Sequence, residues 1–202
     1  MQRLNRFRRA RRDSNSKEHK NSRDRGAALL EFALIAPLFF IVVFGGIEIG
    51  YMFRSNLALE DAARSASRVA SVQRSDANAD LAIIEHIHAR SASLNGDIKS
   101  IVIFQPATLN AEVPTGCTAP GAGPSQSDDC NVYTVTDGDV QMLIDDWDIN
   151  TSTQDGFPLN ERLGTGLTNI GVHIEYEYQY VTGFFDTLTL SSTSVEVIEL
   201  DL

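Results

Sequence analysis

The chain has 202 residues, of which 43% are hydrophobic, and a net charge of −10. This length allows one modest domain with appendages. The charge is divided unevenly, because residues 1–26 hold ten Arg or Lys against three acidic residues, which leaves −17 for residues 27–202. A basic head before an acidic body is not the pattern of a protein that binds nucleic acid along its length.

The basic head ends against an apolar segment, Ala27 to Phe53, whose only charged residues are Glu31 and Glu48. As a helix this segment would be about 40 Å long, enough to cross a hydrocarbon core of about 30 Å. Glu31 and Glu48 would lie roughly 25 Å apart along the axis, each near one membrane interface. Because excess Lys and Arg mark the cytoplasmic end of a span, we expect a single pass with the N-terminus in the cytoplasm.

The helical pattern continues beyond the apolar segment. Alanines recur every four residues from Ala58 to Ala70, and Glu60 and Arg64 have the spacing of a helical ion pair. The sequence therefore predicts one helix over residues 27–74, with 27–53 in the membrane and the remainder packed through small side chains on a sheet.

Residues 75–202 are predicted to form an α+β domain, with helices followed by an antiparallel sheet. Residues 172–180 are the clearest strand, because apolar and aromatic residues alternate there with polar ones. The predicted elements are helices at 79–94 and 139–147, and strands at 98–104, 132–135, 172–180, 184–190 and 195–200.

Two cysteines, Cys117 and Cys130, enclose a loop rich in Gly, Pro and Ser. A disulfide there would constrain the unfolded chain if the domain is exported to an oxidising compartment. Zinc is disfavoured, because it takes about four ligands and no His lies near either cysteine in the sequence.

The domain offers few groups for catalysis or metal binding. His86 and His88 are two apart on a predicted helix and point to different faces. Glu175 and Glu177 share a strand face, which is more typical of a solvated surface in an acidic protein than of a catalytic pair. An acidic cluster lacks the spacing and glycine of a calcium loop, although calcium remains open there: Asp137, Asp139, Asp145, Asp146 and Asp148. We expect no enzyme, no cofactor and no metal.

The position of the small-residue step Gly26-Ala27 is unusual. In a secretory signal a small-residue cleavage site follows the apolar core, whereas here the step precedes it. Cleavage after Gly26 would leave the apolar helix on the mature protein, with Ala27 as its first residue and Glu31 as its fifth.

This arrangement resembles the signal of prepilin peptidase substrates. The wider stretch from Arg25 to Ser71, RGAALLEFALIAPLFFIVVFGGIEIGYMFRSNLALEDAARSASRVAS, is similar to the TadE-like minor pilins or pseudopilins of tight-adherence (Flp, type IVc) pilus systems. The motifs that carry the resemblance are Arg25-Gly26-Ala27, Glu31-Phe32-Ala33, Pro37, Gly46 through Gly50 around Glu48, and Ala62-Ala63-Arg64.

The resemblance implies a pilin-like fold and a role in pilus assembly. The implied partners are prepilin peptidase, other pilin-like subunits, pilus assembly proteins of the inner membrane, and membrane lipid, with no nucleic acid. The implied location is the bacterial inner membrane, with the C-terminal domain extracytoplasmic and the protein in some cases incorporated in the pilus. A tip, initiator or platform role and N-methylation of Ala27 stay open.

Glu31 gains a physical explanation from this interpretation. Cleavage creates an α-amino group at Ala27 with an ordinary pKa of about 7.7–8.0. Buried between packed helices, that amine needs a partner, and Glu31 of the same or a neighbouring subunit would supply it. Together Gly26 and Ala27 form the expected cleavage site, Glu31 and Phe32 the processing and assembly determinant, and Glu48 a second carboxylate at the membrane edge.

Two other interpretations remain. A single-pass anchored binding module explains the topology and the disulfide but leaves Gly26 and Glu31 without a role. An anchored hydrolase would use Glu175, Glu177 or the region of Asp145, and requires that these carboxylates line a pocket.

Overall fold

The computed structural model describes residues 3–73, 76, 78–91, 94–117, 130–135, 139–145, 169–183 and 186–198, with side chains from Gly26 onward except Met142 and Leu143. The chain divides into two compact units, residues 1–47 and 48–202. The elements in chain order are α1 (Arg3–Gln73), α2 (Ala79–Ser91), β1 (Gly96–Phe104), a 3-10 turn (Thr115–Cys117), β2 (Cys130–Thr134), α3 (Val140–Asp145), β3 (Asn169–Tyr178) and β4 (Leu188–Val197).

The helices confirm the predicted pattern with shifted ends. Helix α1 begins at Arg3, within the basic head, continues through Pro37 and ends at Gln73, and residue 74, the last of the predicted range, lies outside the described residues. Helix α2 ends at Ser91, three residues before the predicted end. The backbone N–H of Gln141 donates to Asp139 Oδ1 at 2.9 Å, so Asp139 caps α3.

Four strands form one antiparallel sheet in the order β2-β1-β3-β4. The prediction of two final strands was wrong, because residues 188–197 form the single strand β4, paired with β3 over its full length. The serine-rich stretch, residues 191–194, separates the two predicted strands in the sequence. It is extended because Ser191 and Ser192 pair with Glu175 and Ile174 of β3.

Helices α1 and α2 cover one face of the sheet and enclose the main core. The predicted alanine face is confirmed, since Ala62, Ala66 and Ala70 are buried against the sheet cluster together with Leu59 and Ala63. The alternation predicted for residues 172–180 is confirmed as far as Tyr178, with these side chains buried: Val172, Ile174, Tyr176 and Tyr178. The strand ends there, and Tyr180 is only partly buried. The observed arrangement is α+β, as predicted.

The β3–β4 hairpin runs alongside α1 within residues 48–202. Near its open end, Ser194 Oγ lies 2.9 Å from Ser67 Oγ. At its turn, residues 179–183, the hydroxyl of Thr182 lies 3.1 Å from Glu48 Oε1. Glu48 and Ser67 are separated by about 28 Å of helix at 1.5 Å per residue. The turn therefore lies at the Glu48 end of this helix segment.

Candidate processing and assembly site

The predicted cleavage site lies inside α1 on an open surface. Gly26 and Ala27 are exposed, and a Cβ added at Gly26 would meet no atom within 4 Å among the described residues. The space around Gly26 thus does not require a glycine for folding. A requirement for glycine there would have to come from a binding partner.

Glu31 follows the candidate cleavage site by little more than one helical turn. Its side chain is exposed, and its neighbours Leu30 and Phe32 are each 67% exposed. Residues four apart on a helix lie on the same face, with Cβ atoms roughly 6 Å apart. The positions of Ala27 and Glu31 therefore suit a pairing of a new α-amine with the carboxylate, within one chain or between neighbouring chains.

The helix surface around Glu31 is apolar and uncovered. Within the described residues, the segment Gly26–Gln73 is the one helix long and apolar enough to cross a membrane. Large apolar side chains are exposed on all its sides: Leu29, Leu30, Phe32, Leu34, Ile35, Leu38, Phe39, Phe40, Ile41, Val42, Val43, Phe44, Ile47 and Ile49. A helix that is hydrophobic all round needs lipid or other helices around it.

Glu48, the second predicted carboxylate, has a different environment. It is only 3% exposed, because the hairpin turn covers it. Its Oε1 accepts hydrogen bonds from the backbone N–H and the hydroxyl of Thr182, both at 3.1 Å. Its Oε2 has no hydrogen-bond partner among the described residues. Glu48 therefore joins α1 to the sheet, a role that its position in the sequence did not indicate.

Tyr178 lies close to this carboxylate. Burial raises the pKa of the Tyr178 hydroxyl above its ordinary value of 10.0, and the negative charges of Glu48 and of neighbouring tyrosines raise it further. The hydroxyl is buried and, like Glu48 Oε2, has no partner among the described residues.

The two cysteines form the predicted disulfide. Cys117 and Cys130 are bonded, with their Cα atoms 6.4 Å apart. The bridge lies on the sheet face opposite α1, in a second apolar cluster with Val102, Phe104 and Val132. It ties the 3-10 turn to the start of the edge strand β2.

The remaining candidate carboxylates are engaged on the outer face of the sheet. Glu175 accepts a hydrogen bond from Ser100 Oγ at 3.1 Å, and Glu177 pairs with Lys99 Nζ at 2.5 Å. The pKa of Glu177 is lowered, mainly by its bonds to Lys99 and Thr187. The lowered pKa of Glu177 and its bonds to Lys99 and Thr187 favour a structural role for this residue over that of a general acid.

Among the described residues, the calcium and histidine candidates do not come together as a metal site. In the described part of the chain no three His, Cys, Asp or Glu residues cluster as metal ligands. Asp137, Asp146 and Asp148 lie outside the described residues, so the acidic cluster as a whole is untested. His86 Nε2 lies 3.0 Å from Ser65 Oγ and thereby connects α2 to α1.

One buried polar group was absent from the sequence predictions. Asp80, at the start of α2, is fully buried and accepts hydrogen bonds from Asn131 Nδ2 at 2.7 Å and from the Tyr133 hydroxyl at 2.6 Å. It joins α2 to the edge strand β2. An acidic residue in a first helical turn gives no signal of this kind, since it is equally typical of an exposed helix start.

This geometry defines a class of protein in which a long helix with an exposed apolar N-terminal part is followed by a small disulfide-bonded α+β domain. Within that class, residues 26–68 match the family described as TadE-like protein. The match confirms the resemblance read from the sequence, begins at Gly26, and stops before the sheet. This family is one of structural pilus components rather than enzymes. Comparisons with curated proteins and with solved structures gave no match.

Proposed function

We propose that the protein is a TadE-type assembly component of a tight-adherence pilus. The observation that carries the proposal is the TadE-like match over residues 26–68, whose N-terminal part exposes large apolar side chains from Leu29 to Ile49. In this proposal α1 anchors the chain in the bacterial inner membrane, with the basic head in the cytoplasm. The disulfide-bonded domain lies outside, in an oxidising compartment.

Prepilin peptidase matures the protein by cleaving after Gly26. Cleavage removes the head, which carries a net charge of +7 from ten basic and three acidic residues. The exposure of Gly26 and the open space around it support this role, because a protease needs access to the bond that it cuts. Removal of the head also relieves charge repulsion between helices that assemble side by side.

The mature helix then packs against other pilin-like subunits. In this environment the α-amine of Ala27 and the carboxylate of Glu31 are both removed from water, and each is costly without the other. Glu31 therefore favours an assembled state in which the two charges meet. The exposed Phe32 and neighbouring apolar side chains supply the packing surface.

Two variants separate processing from assembly. We expect Gly26→Leu to accumulate as the full-length precursor, and Glu31→Ala to be cleaved but to be lost from assembled pili. Processing is followed by the mass shift on immunoblots, and assembly by the amount of subunit in sheared pilus fractions.

Matched controls on the same helix are Gly45→Ala and Glu60→Ala. Gly45 has open space at its Cβ position, and the Glu60 side chain is 41% exposed in an ion pair with Arg64. Both controls should be processed and assembled normally. Normal cleavage of Gly26→Leu would refute the cleavage site, and normal assembly of Glu31→Ala would refute the role of Glu31.

A further inference from the structure

The hairpin turn, residues 179–183, is held against α1 at Glu48, which lies near the C-terminal end of the apolar segment Ala27 to Phe53. Ile47 is the last residue of the first compact unit and Glu48 is the first of the second. The two hydrogen bonds from Thr182 to Glu48 Oε1 fix the turn at this position. Because Glu48 is only 3% exposed, these two hydrogen bonds are shielded from competing water.

Three apolar or aromatic side chains close in sequence to this contact are exposed. Val181, which precedes Thr182, is 56% exposed, and on α1 Tyr51 is 44% and Phe53 is 59% exposed. Tyr51 and Phe53 come within about one and a half helical turns of Glu48. Aromatic side chains at the ends of membrane spans prefer the interface between hydrocarbon and water.

The open end of the hairpin carries an exposed ion pair. There, Arg68 pairs with Glu196 at 3.7 Å, and both side chains are exposed. Strand β4 has ten residues, so its open end lies roughly 30 Å from the turn at 3.3 Å per residue. Val181 at the turn is apolar and exposed, whereas the exposed ion pair of Arg68 and Glu196 lies near the open end of the hairpin.

We propose that the hairpin turn is a membrane-contact surface, which Glu48 holds against α1 so that Val181 lies with Tyr51 and Phe53 in the interfacial layer of the bilayer. The proposed partner is the lipid surface, because Tyr51 and Phe53 are exposed and belong to the apolar segment Ala27 to Phe53 that is proposed to span the membrane. The inference rests on the proposed membrane span. It assigns Glu48 a further role, because a carboxylate buried against Thr182 sets the folded domain on the bilayer.

The test uses tryptophan as a depth reporter in the full chain. Trp147 is the only tryptophan, so a Trp147→Phe background accepts one reporter at a time. The reporters are Val181→Trp at the turn, Val197→Trp at the open end, and Phe40→Trp in the apolar run. Val181 and Val197 are a matched pair, 56% and 49% exposed. Each chain is reconstituted in phosphatidylcholine vesicles whose acyl chains carry bromine, which quenches tryptophan fluorescence at short range.

We expect the Phe40→Trp reporter to be quenched most, and the Val181→Trp reporter to be quenched about twofold more than the Val197→Trp reporter, as an interfacial side chain should be. Strong quenching of Phe40→Trp with equal quenching at the two valine positions would overturn the membrane-contact surface and leave the span intact. Absence of quenching at Phe40→Trp would overturn the span itself, and the inference with it.

Variants at the contact test the role of Glu48. Glu48→Ala removes the acceptor of both bonds, and Thr182→Val removes only the hydroxyl bond while keeping the backbone N–H. In the Val181→Trp background we expect quenching to fall to the level of Val197→Trp for Glu48→Ala, and to an intermediate level for Thr182→Val. Unchanged quenching in Thr182→Val and Glu48→Ala chains that retain the parent far-UV circular dichroism would contradict the role of Glu48.

Discussion

Single side-chain contacts fix how the two central strands meet. Phe104 at the end of β1 lies opposite Gly171 of β3, on the sheet face that carries the disulfide. A Cβ added at Gly171 would lie 2.5 Å from Phe104 Cζ. Because Phe104 is fully buried, its ring has no free space into which it can shift.

We therefore expect Gly171→Ala to lower the free energy of unfolding by about 1–3 kcal/mol, the usual cost of forcing extra volume into a packed core. Urea denaturation of the full chain in detergent micelles measures this effect. Gly116→Ala, at a glycine with open space around its Cβ position, should change the midpoint little. Equal midpoints for the two variants would contradict the account of this contact.

His173, also on the outer sheet face, links stability to pH. Burial lowers its pKa below the ordinary 6.5, with a smaller opposing effect from the charge of Glu175. The unfolded chain therefore binds a proton more readily than the folded chain below about pH 6.5. The contribution of His173 to stability is complete above that pH and is lost as the pH falls through the lowered pKa.

His173→Gln should remove this dependence, since glutamine does not titrate and can still bond Thr193, whose Oγ1 lies 2.8 Å from His173 Nδ1. We expect the loss of stability between pH 7 and pH 5 to be smaller in the variant than in the parent chain, as followed by urea midpoints at both pH values. A larger loss in the variant would show that the sign is wrong.

At the scale of the elements, the alanine face of α1 sets the distance between helix and sheet. Ala62, Ala63 and Ala66 are fully buried against the core cluster. Side chains of this size let the helix approach the strands closely, so that larger residues of α2 and β3 fill the remaining space.

Ala66→Leu should destabilise the domain by about 1–3 kcal/mol, because Ala66 is fully buried and three extra carbon atoms would displace its neighbours. The exposed Ala89 on α2 provides the control, and Ala89→Leu should have little effect. Thermal unfolding of the full chain in detergent micelles compares the two substitutions. The close-packing account fails if both lower the melting temperature equally.

Local patterns were sufficient to predict most elements but not their partners. The fourfold alanine repeat identified the buried face of α1, and the alternation in residues 172–180 identified β3 and its buried side chains. The serine-rich centre of β4 misled, because its pairing is decided by β3 rather than by its own propensity. Such tertiary contacts leave no periodic signal in the sequence.

At the candidate site, too, local features could be predicted from the sequence and long-range contacts could not. Gly26, Glu31 and the apolar run could be identified because their spacing is local and characteristic. The bond between Glu48 and Thr182 joins residues 134 positions apart, and the Asp80 network joins residues about 50 apart. The local sequence does not indicate that Glu48 and Asp80 are buried, so their burial is revealed only by the fold.

At the scale of the whole molecule, three features support an assembly component. The segment that matches the TadE-like family begins with a stretch of exposed large apolar side chains, from Leu29 to Ile49. The domain that follows is stabilised by a disulfide, and its candidate catalytic carboxylates, Glu175 and Glu177, are occupied by neighbouring side chains. The proposed function depends most on the conversion of the N-terminal helix by cleavage after Gly26.

The N-terminal peptide of the membrane-extracted protein tests that conversion most directly. Mass spectrometry of protein produced with an active prepilin peptidase should identify a mature chain that begins at Ala27, while protein produced without the peptidase should retain residues 1–26. A terminus at Met1 in the presence of the active peptidase would contradict the account.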